Sequence, residues 1–336
     1  MPADGSRPDR EFRDAVAALL ALPPDALRFV ALSGGVSSDI WRVDTPRGPY
    51  CAKRALPRLR VAALWEAPVS RNAEEVRWLR TTRAWVGDQV AEVVAHDPSA
   101  GIAVLAWYDP STWRNWKTAL LAGRVDAAAA TALGTLLGTI VRRSAAAPHL
   151  AADFANDHLF DALRIDPFFR HIRERHPPVA ALVARLESDR RVLVHGDFSP
   201  KNVLVNAAHE LRVLDAETAA WGCPGFDAGY LLAHLLLKRL HTGNRAVAAA
   251  AQGFWQAFQG AAGGGFDDLE EATRLVIGGM LLARVDGKSP VEYLSATEQA
   301  AVRERARALL GRPAEPPGAS VAGLIDDWNG ALDHHD

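Results

Sequence analysis

A chain of 336 residues, 49% hydrophobic and 23% charged, has the composition of an ordinary folded protein and is long enough for about two domains. Its net charge of −2 argues against a nucleic-acid partner or a membrane surface, and Cys51 and Cys223 have neither disulfide nor metal spacing, as expected in a reducing cytoplasm. The polar opening MPADGSRPDREF lacks a signal peptide's apolar core, and no stretch approaches the roughly 18 apolar residues of a membrane helix.

In chain order, residues 11–22 have helical spacing, and Pro-Pro-Asp ends that helix. The segment RFVALSGGVSSDIWRVDTPRGPYCAKRAL then reads as strand, Gly-rich turn, strand, hairpin over Thr45–Gly48 and strand. RNAEEVRWLRTTRAW is the next helix, followed by short strands at VAEVVAHD and GIAVLAWY. Past Asp109-Pro110, Ala- and Leu-rich helical segments dominate, such as AAAATALGTLLGTIVRR and AGYLLAHLLLKRL, interrupted by a strand pair near 192–215. QGAAGGGFDD (259–268) reads as a flexible loop, and the terminal DHHD as frayed. The expected fold class is therefore α+β: a small antiparallel-sheet lobe over residues 1–108 and a larger helical lobe over 109–336.

Chemistry concentrates in LVHGDFSPKNVLV (193–205) and LRVLDAETAAWG (211–222). Phosphoryl transfer from a nucleotide needs a carboxylate to orient the attacking hydroxyl, oxygen ligands for Mg²⁺, and cations on the phosphates. Asp197, in a turn loosened by Gly196, can be the first. Asn202 offers a metal its amide oxygen, and NAAHE (206–210) forms a hairpin that brings Asp215 beside it, with Glu217 as a second carboxylate ligand. An all-oxygen set suits Mg²⁺ rather than zinc.

The spacing Asp197, five to Asn202, thirteen to Asp215 is that of the catalytic and metal-binding loops of protein kinases. HGDFSPKN followed by DAE resembles the corresponding motifs of the aminoglycoside phosphotransferase-like kinases, which phosphorylate small molecules and include choline, homoserine and methylthioribose kinases. DAE and WGCPGFDAGYLLAHLLLK are nearest to the methylthioribose kinase pattern, and uncharacterised bacterial phosphotransferases are similar over nearly the whole chain. The resemblance implies a bilobal protein-kinase-like fold, ATP (with GTP open) and Mg²⁺, and a small hydroxylated acceptor. It makes His195 a residue that holds the loop by hydrogen bonds, and Asp227 opens a helix and ties the loop down.

On the nucleotide side, LSGGVSSDIW is the expected phosphate-covering loop, with Gly34 and Gly35 admitting close backbone approach and Ser37 and Ser38 offering donors. Lys53, in the strand PYCAKRAL, matches the phosphate-binding lysine of kinases; Glu74 and Glu75 can both steady it, and the resemblance favours Glu75. Backbone groups near Leu105 to Trp107 form the adenine-binding hinge, within 105–108. Trp221 and Arg284 are the candidate acceptor contacts, Arg284 standing where methylthioribose kinases carry an arginine pair and this chain has Ala283-Arg284.

The expectation is an ATP-dependent kinase of a small sugar-like or amino-alcohol-like metabolite. Its alternatives are an antibiotic-resistance kinase and a nucleotide-binding pseudokinase. A protein kinase fits poorly, because the twelve residues from Asp215 to Asp227 cannot hold an activation segment. Monomer and homodimer stay open.

Overall fold

The computed structural model describes residues 8–32, 37–60, 67–311 and 320–333. Helix α1 (Arg10–Leu20) starts where Asp9 accepts a hydrogen bond from the Phe12 amide at 2.8 Å, and it buries Phe12, Val16, Ala17 and Leu20. That apolar stripe packs with Trp41, Val43, Ala52 and Val104 of an antiparallel sheet. Its strands are β1 (Arg28–Ala31), β2 (Ser38–Thr45), β3 (Gly48–Ala55), β4 (Val93–Asp97) and β5 (Ile102–Ala106), in the order β1-β2-β3-β5-β4. Thr45 pairs with Gly48 at the β2–β3 turn, as the sequence predicts. Helix α2 (Arg71–Val86) separates β3 from β4.

Beyond the sheet come β6 (Arg114–Asn115), α3 (Trp116–Leu121), α4 (Ala127–Ala145), α5 (Asp157–Phe160), a π-helical stretch over Asp161–Arg170, and α6 (Val179–Ser188). Short strands β7 (Val192–Val194), β8 (Val203–Val205), β9 (Leu211–Val213) and β10 (Ala220–Gly222) carry the two motifs. β8 and β9 form the expected hairpin, with β6 on the other side of β8, and β10 pairs with β7. Helices α7 (Phe226–Thr242), α8 (Arg245–Ala262), α9 (Leu269–Asp286), α10 (Ala296–Gly311) and α11 (Val321–Asp333) complete the chain.

Helix α7 is buried almost all round, as its run of leucines requires of a central core helix. Helices α4 and α8 touch closely because Gly134 and Gly138 lie between them: an added Cβ at Gly134 would sit 2.2 Å from the Phe254 carbonyl oxygen. One expectation is corrected. Residues 259–262 are the last turn of α8 rather than loop, since Gln259 and Ala262 continue its packing and Gly263, at φ +77°, ends it. Asp333 closes α11, and residues 334–336 lie outside the described residues. Among the described residues no helix is long and apolar enough to cross a membrane.

Candidate active site

Strand β7 delivers the chain into a loop built on buried polar contacts. Gly196 has φ +79°, and a Cβ there would lie 2.5 Å from the Thr218 carbonyl oxygen, so the turn requires glycine for both angle and space. Asp227, in the first turn of α7, accepts hydrogen bonds from the backbone amides of His195 (2.6 Å) and Gly196 (3.0 Å). Burial pushes its carboxyl up to about 7 against the pull of those two amides. His195 Nε2 lies 2.9 Å from the Leu214 carbonyl, and Nδ1 accepts from the Asp197 amide at 3.1 Å. A carbonyl only accepts and an amide only donates, so the ring is neutral with its proton on Nε2. Burial, which pushes the imidazole down to about 4, agrees.

Asp197 is buried, and its two carboxylate oxygens differ. Oδ2 meets Lys201 Nζ at 2.8 Å and Arg164 Nη2 at 3.1 Å, whereas Oδ1 is buried with no hydrogen-bond partner among the described residues. Burial alone would raise this carboxyl; Lys201 and Arg164 outweigh it and hold the group well below the usual carboxylate range. Arg164, on the π-helical stretch, also donates to the Gly196 and Leu163 carbonyls. Asn202 donates through Nδ2 to the Asp197 carbonyl at 2.9 Å, which leaves its amide oxygen without a hydrogen bond among the described residues.

The β8–β9 hairpin sets the Leu214 amide 2.9 Å from the Asn202 carbonyl, so Asp215 follows directly beside Asn202. Asp215 has φ +67°, a left-handed angle rare for any residue but glycine and often found where function demands it. From β3, Lys53 Nζ reaches Glu75 of α2 at 2.9 and 3.1 Å and pairs closely with Asp215. Burial would pull this lysine's pKa down, but Asp215, Glu75 and Glu217 together raise it well above normal, so it stays an ammonium. Glu74 turns elsewhere, to Arg77 and Asn156, which leaves Glu75 as the partner.

Glu217 is held by Arg71 Nε at 3.1 Å. Arg71 is fully buried and donates besides to the carbonyls of Ser37, Leu56, Ala67 and Pro68 at 2.5 to 2.9 Å. Among the described residues, no three His, Cys, Asp or Glu side chains gather into a metal cage. Asn202, Asp215 and Glu217 carry hard oxygen atoms, a donor type that suits Mg²⁺ rather than zinc.

Gly34 and Gly35 lie outside the described residues. Ser37 contributes its carbonyl to Arg71, and the Ser38 hydroxyl is buried without a hydrogen-bond partner among the described residues. Leu105 is buried in β5, and Trp107 lies just beyond that strand with the Arg42 guanidinium 5.2 Å from its ring centroid. Beside the Ser199–Lys201 end of this loop opens a cavity lined by Ser199, Lys201, His234, Lys238, Arg284 and Tyr293 among others. Arg284, a candidate acceptor contact from the sequence, lines that cavity. Trp221 does not line that cavity: it sits in β10, paired with Leu193, and is buried in the core.

Sequence reasoning missed Arg164 and Arg71. Arg164 stands in no motif and reaches Asp197 across 33 residues of chain. Arg71 precedes Glu75 by one helical turn, a signal only once α2 is known to face Glu217.

The model of the phosphotransferase enzyme family matches residues 28–273. Methylthioribose kinases of Pectobacterium atrosepticum and Pectobacterium carotovorum are 29% and 30% identical to this chain, over 55% of it and 53% of their own length. The chain thus spans about half the length of the curated relatives it matches. Among solved structures, a microcompartment-associated aminopropanol kinase aligns over 97% of this chain and 98% of its own, with 15% identity and a TM-score of 0.53. Choline kinase LicA from Streptococcus pneumoniae aligns over 90% and 98%, with 12% identity and a TM-score of 0.52. These likenesses show a common α+β, protein-kinase-like fold.

Proposed function

The chain belongs to the phosphotransferase enzyme family, and from that premise we propose that it transfers the γ-phosphoryl group of Mg·ATP to a hydroxyl of a small metabolite. The observation that carries this reading is the convergence of Lys53, Glu75 and Asp215 beside a loop in which one Asp197 carboxylate oxygen has no hydrogen-bond partner among the described residues. In this reading residues 1–108 form the nucleotide lobe and the helical remainder forms the acceptor lobe. Lys53, kept charged by its carboxylates, binds the nucleotide phosphates. Asn202, Asp215 and Glu217 hold Mg²⁺, which when bound neutralises charge on the transferring phosphoryl group. Asp197 Oδ1 accepts the hydrogen bond of the acceptor hydroxyl and so aims its oxygen at phosphorus. Because Lys201 and Arg164 keep Asp197 ionised, it is always ready to accept that bond but is a weak base. It therefore orients the nucleophile and takes the proton late, as a loose phosphoryl-transfer transition state allows. The Asp197–Asn202 and Asp227–His195 contacts fix the loop in advance, so little ordering remains when the acceptor arrives.

The test is incubation with Mg²⁺ and γ-labelled ATP against pooled aminoglycosides, sugars, amino alcohols and hydroxy acids. Label moving to one pool supports the proposal. Failure to bind Mg·ATP at all contradicts it.

A further inference from the structure

The buried cations around Asp197 differ in how they are compensated. Lys53 faces Glu75 and Asp215, Arg71 faces Glu217, and Arg164 and Lys201 face Asp197. Lys238, on α7, is 1% exposed and pairs with no carboxylate among the described residues. Its ammonium donates to the His234 carbonyl at 3.3 Å and lies 5.5 Å from the Tyr293 ring centroid. A buried ammonium without a counter-charge is costly, and the charges nearest it, Lys117 and Arg284, are also positive. All three line the cavity at the Ser199–Lys201 end of the catalytic loop, where the single acidic lining residue is the exposed Glu292.

Unpaired donors converge there too. Among the described residues, the Tyr293 and Ser199 hydroxyls and Arg284 Nε are buried with no hydrogen-bond partner, although the other face of Arg284 is satisfied by Ser289. Buried donors are normally paired, so four unsatisfied or poorly satisfied groups lining one cavity mark the place of a missing acceptor of hydrogen bonds. The cavity touches the catalytic loop through Ser199, Pro200 and Lys201, and Lys201 is already committed to Asp197.

Resting on the phosphotransfer reading, we propose that the acceptor is an anionic hydroxylated metabolite whose carboxylate or phosphate group sits between Lys238 and Arg284, placing its hydroxyl at Asp197. A polycationic aminoglycoside or a quaternary amino alcohol would bring positive charge to Lys117, Lys238 and Arg284 and be repelled. The feature is local. The chain as a whole carries a net charge of −2, so the positive lining belongs to this cavity rather than to a generally basic surface.

The experiment uses matched probe sets on three- to six-carbon polyol skeletons: an acid such as glycerate, threonate or gluconate, its amide, its amine, and its phosphate monoester. Binding is measured by calorimetry on the full chain saturated with Mg·ADP, so that the nucleotide's own phosphate contacts are filled. We expect at least one acid or phosphate ester to bind at least tenfold tighter than its amide and amine partners. Acids against esters then decides which anion the site takes. Lys238→Met should weaken that binding at least tenfold and raise Tm, because it removes an uncompensated buried charge; Arg284→Met should weaken it without raising Tm. An amine or amide that binds as tightly as its acid, a panel in which no anion is preferred, or a Lys238→Met variant with unchanged anion affinity would each overturn the proposal. Since binding is read without turnover, anion binding without label transfer contradicts the phosphotransfer reading alone, and transfer to a cationic acceptor contradicts the anion pocket alone.

Discussion

Lys201 Nζ stands 2.8 Å from Asp197 Oδ2, on the side of the carboxylate opposite an Oδ1 that has no hydrogen-bond partner among the described residues. The lysine, with Arg164, both fixes the carboxylate's rotation and keeps it ionised. Replacing Lys201 with Met leaves Arg164 as the remaining anchor and lets Asp197 turn. The expected result is a fall in kcat of about tenfold to a hundredfold, with Mg·ADP affinity changed by less than about threefold. Steady-state kinetics beside calorimetry checks this; an unchanged kcat removes Lys201 from the account.

Arg71 ties four backbone carbonyls and Glu217 to one guanidinium. Arg71→Met leaves Glu217 buried without its cation and orphans the carbonyls, an effect of about 3–5 kcal/mol by analogy with broken buried pairs. Glu217→Gln, which keeps an acceptor for Nε, should cost clearly less. Urea denaturation of both single variants and the double variant measures the coupling. Additive losses would show that Arg71 does not act through Glu217.

The sequence placed Lys53 in a strand and Asp215 after a hairpin, and left Glu74 and Glu75 both open; it was the kinase resemblance that favoured Glu75, the partner Lys53 has. The fold class was legible from local pattern, with sheet-forming runs first and helical periodicity after. What stayed hidden depends on distant approach. Arg164 meets Asp197, and Arg71 meets Glu217, only after folding has brought separate elements together. Trp221 misled because a tryptophan in a motif-flanking loop looks like a ligand contact, whereas the short β7–β10 pairing turns it into the core. The end of α8 was misplaced because Gly260 suggests a loop, although helical packing carries on to Ala262.

Lys238 gives the acceptor step a pH dependence. Burial first, then Lys117 and Arg284, push its amine down to about 7. The neighbours facing it are Lys117 from α3, Arg284 from α9, His234 on its own helix, Tyr293, and the exposed Glu292 at the rim. Since an anion prefers the ammonium form, its affinity is highest below pH 7 and weakens as the proton is lost above it. Acceptor KM should therefore rise by roughly tenfold per pH unit above 7 until binding to the neutral amine takes over. A KM flat from pH 6 to 9, in wild type and in Lys238→Met alike, would exclude Lys238 from acceptor binding.

Asp286 joins α9 to its surroundings through Arg303, Arg175 and His176. Burial would raise its carboxyl, but Arg303, His176 and Arg175 bring it down to about 2. The folded value lies below the unfolded one near 3.8, so the contribution is present above pH 4 and is lost as pH falls toward 2. Its size is about 2 kcal/mol. Denaturation of wild type and Asp286→Asn should differ by that amount at pH 6 and converge near pH 2; a constant gap would contradict the linkage.

The most direct test of the central claim compares wild type with Asp197→Asn, once an acceptor has been found. The substitution keeps the side chain's shape and removes the negative charge that aims the hydroxyl. The account predicts that transfer of the γ-phosphoryl group falls by at least about a thousandfold while Mg·ADP still binds with near-native affinity. Transfer at the wild-type rate in Asp197→Asn would contradict it.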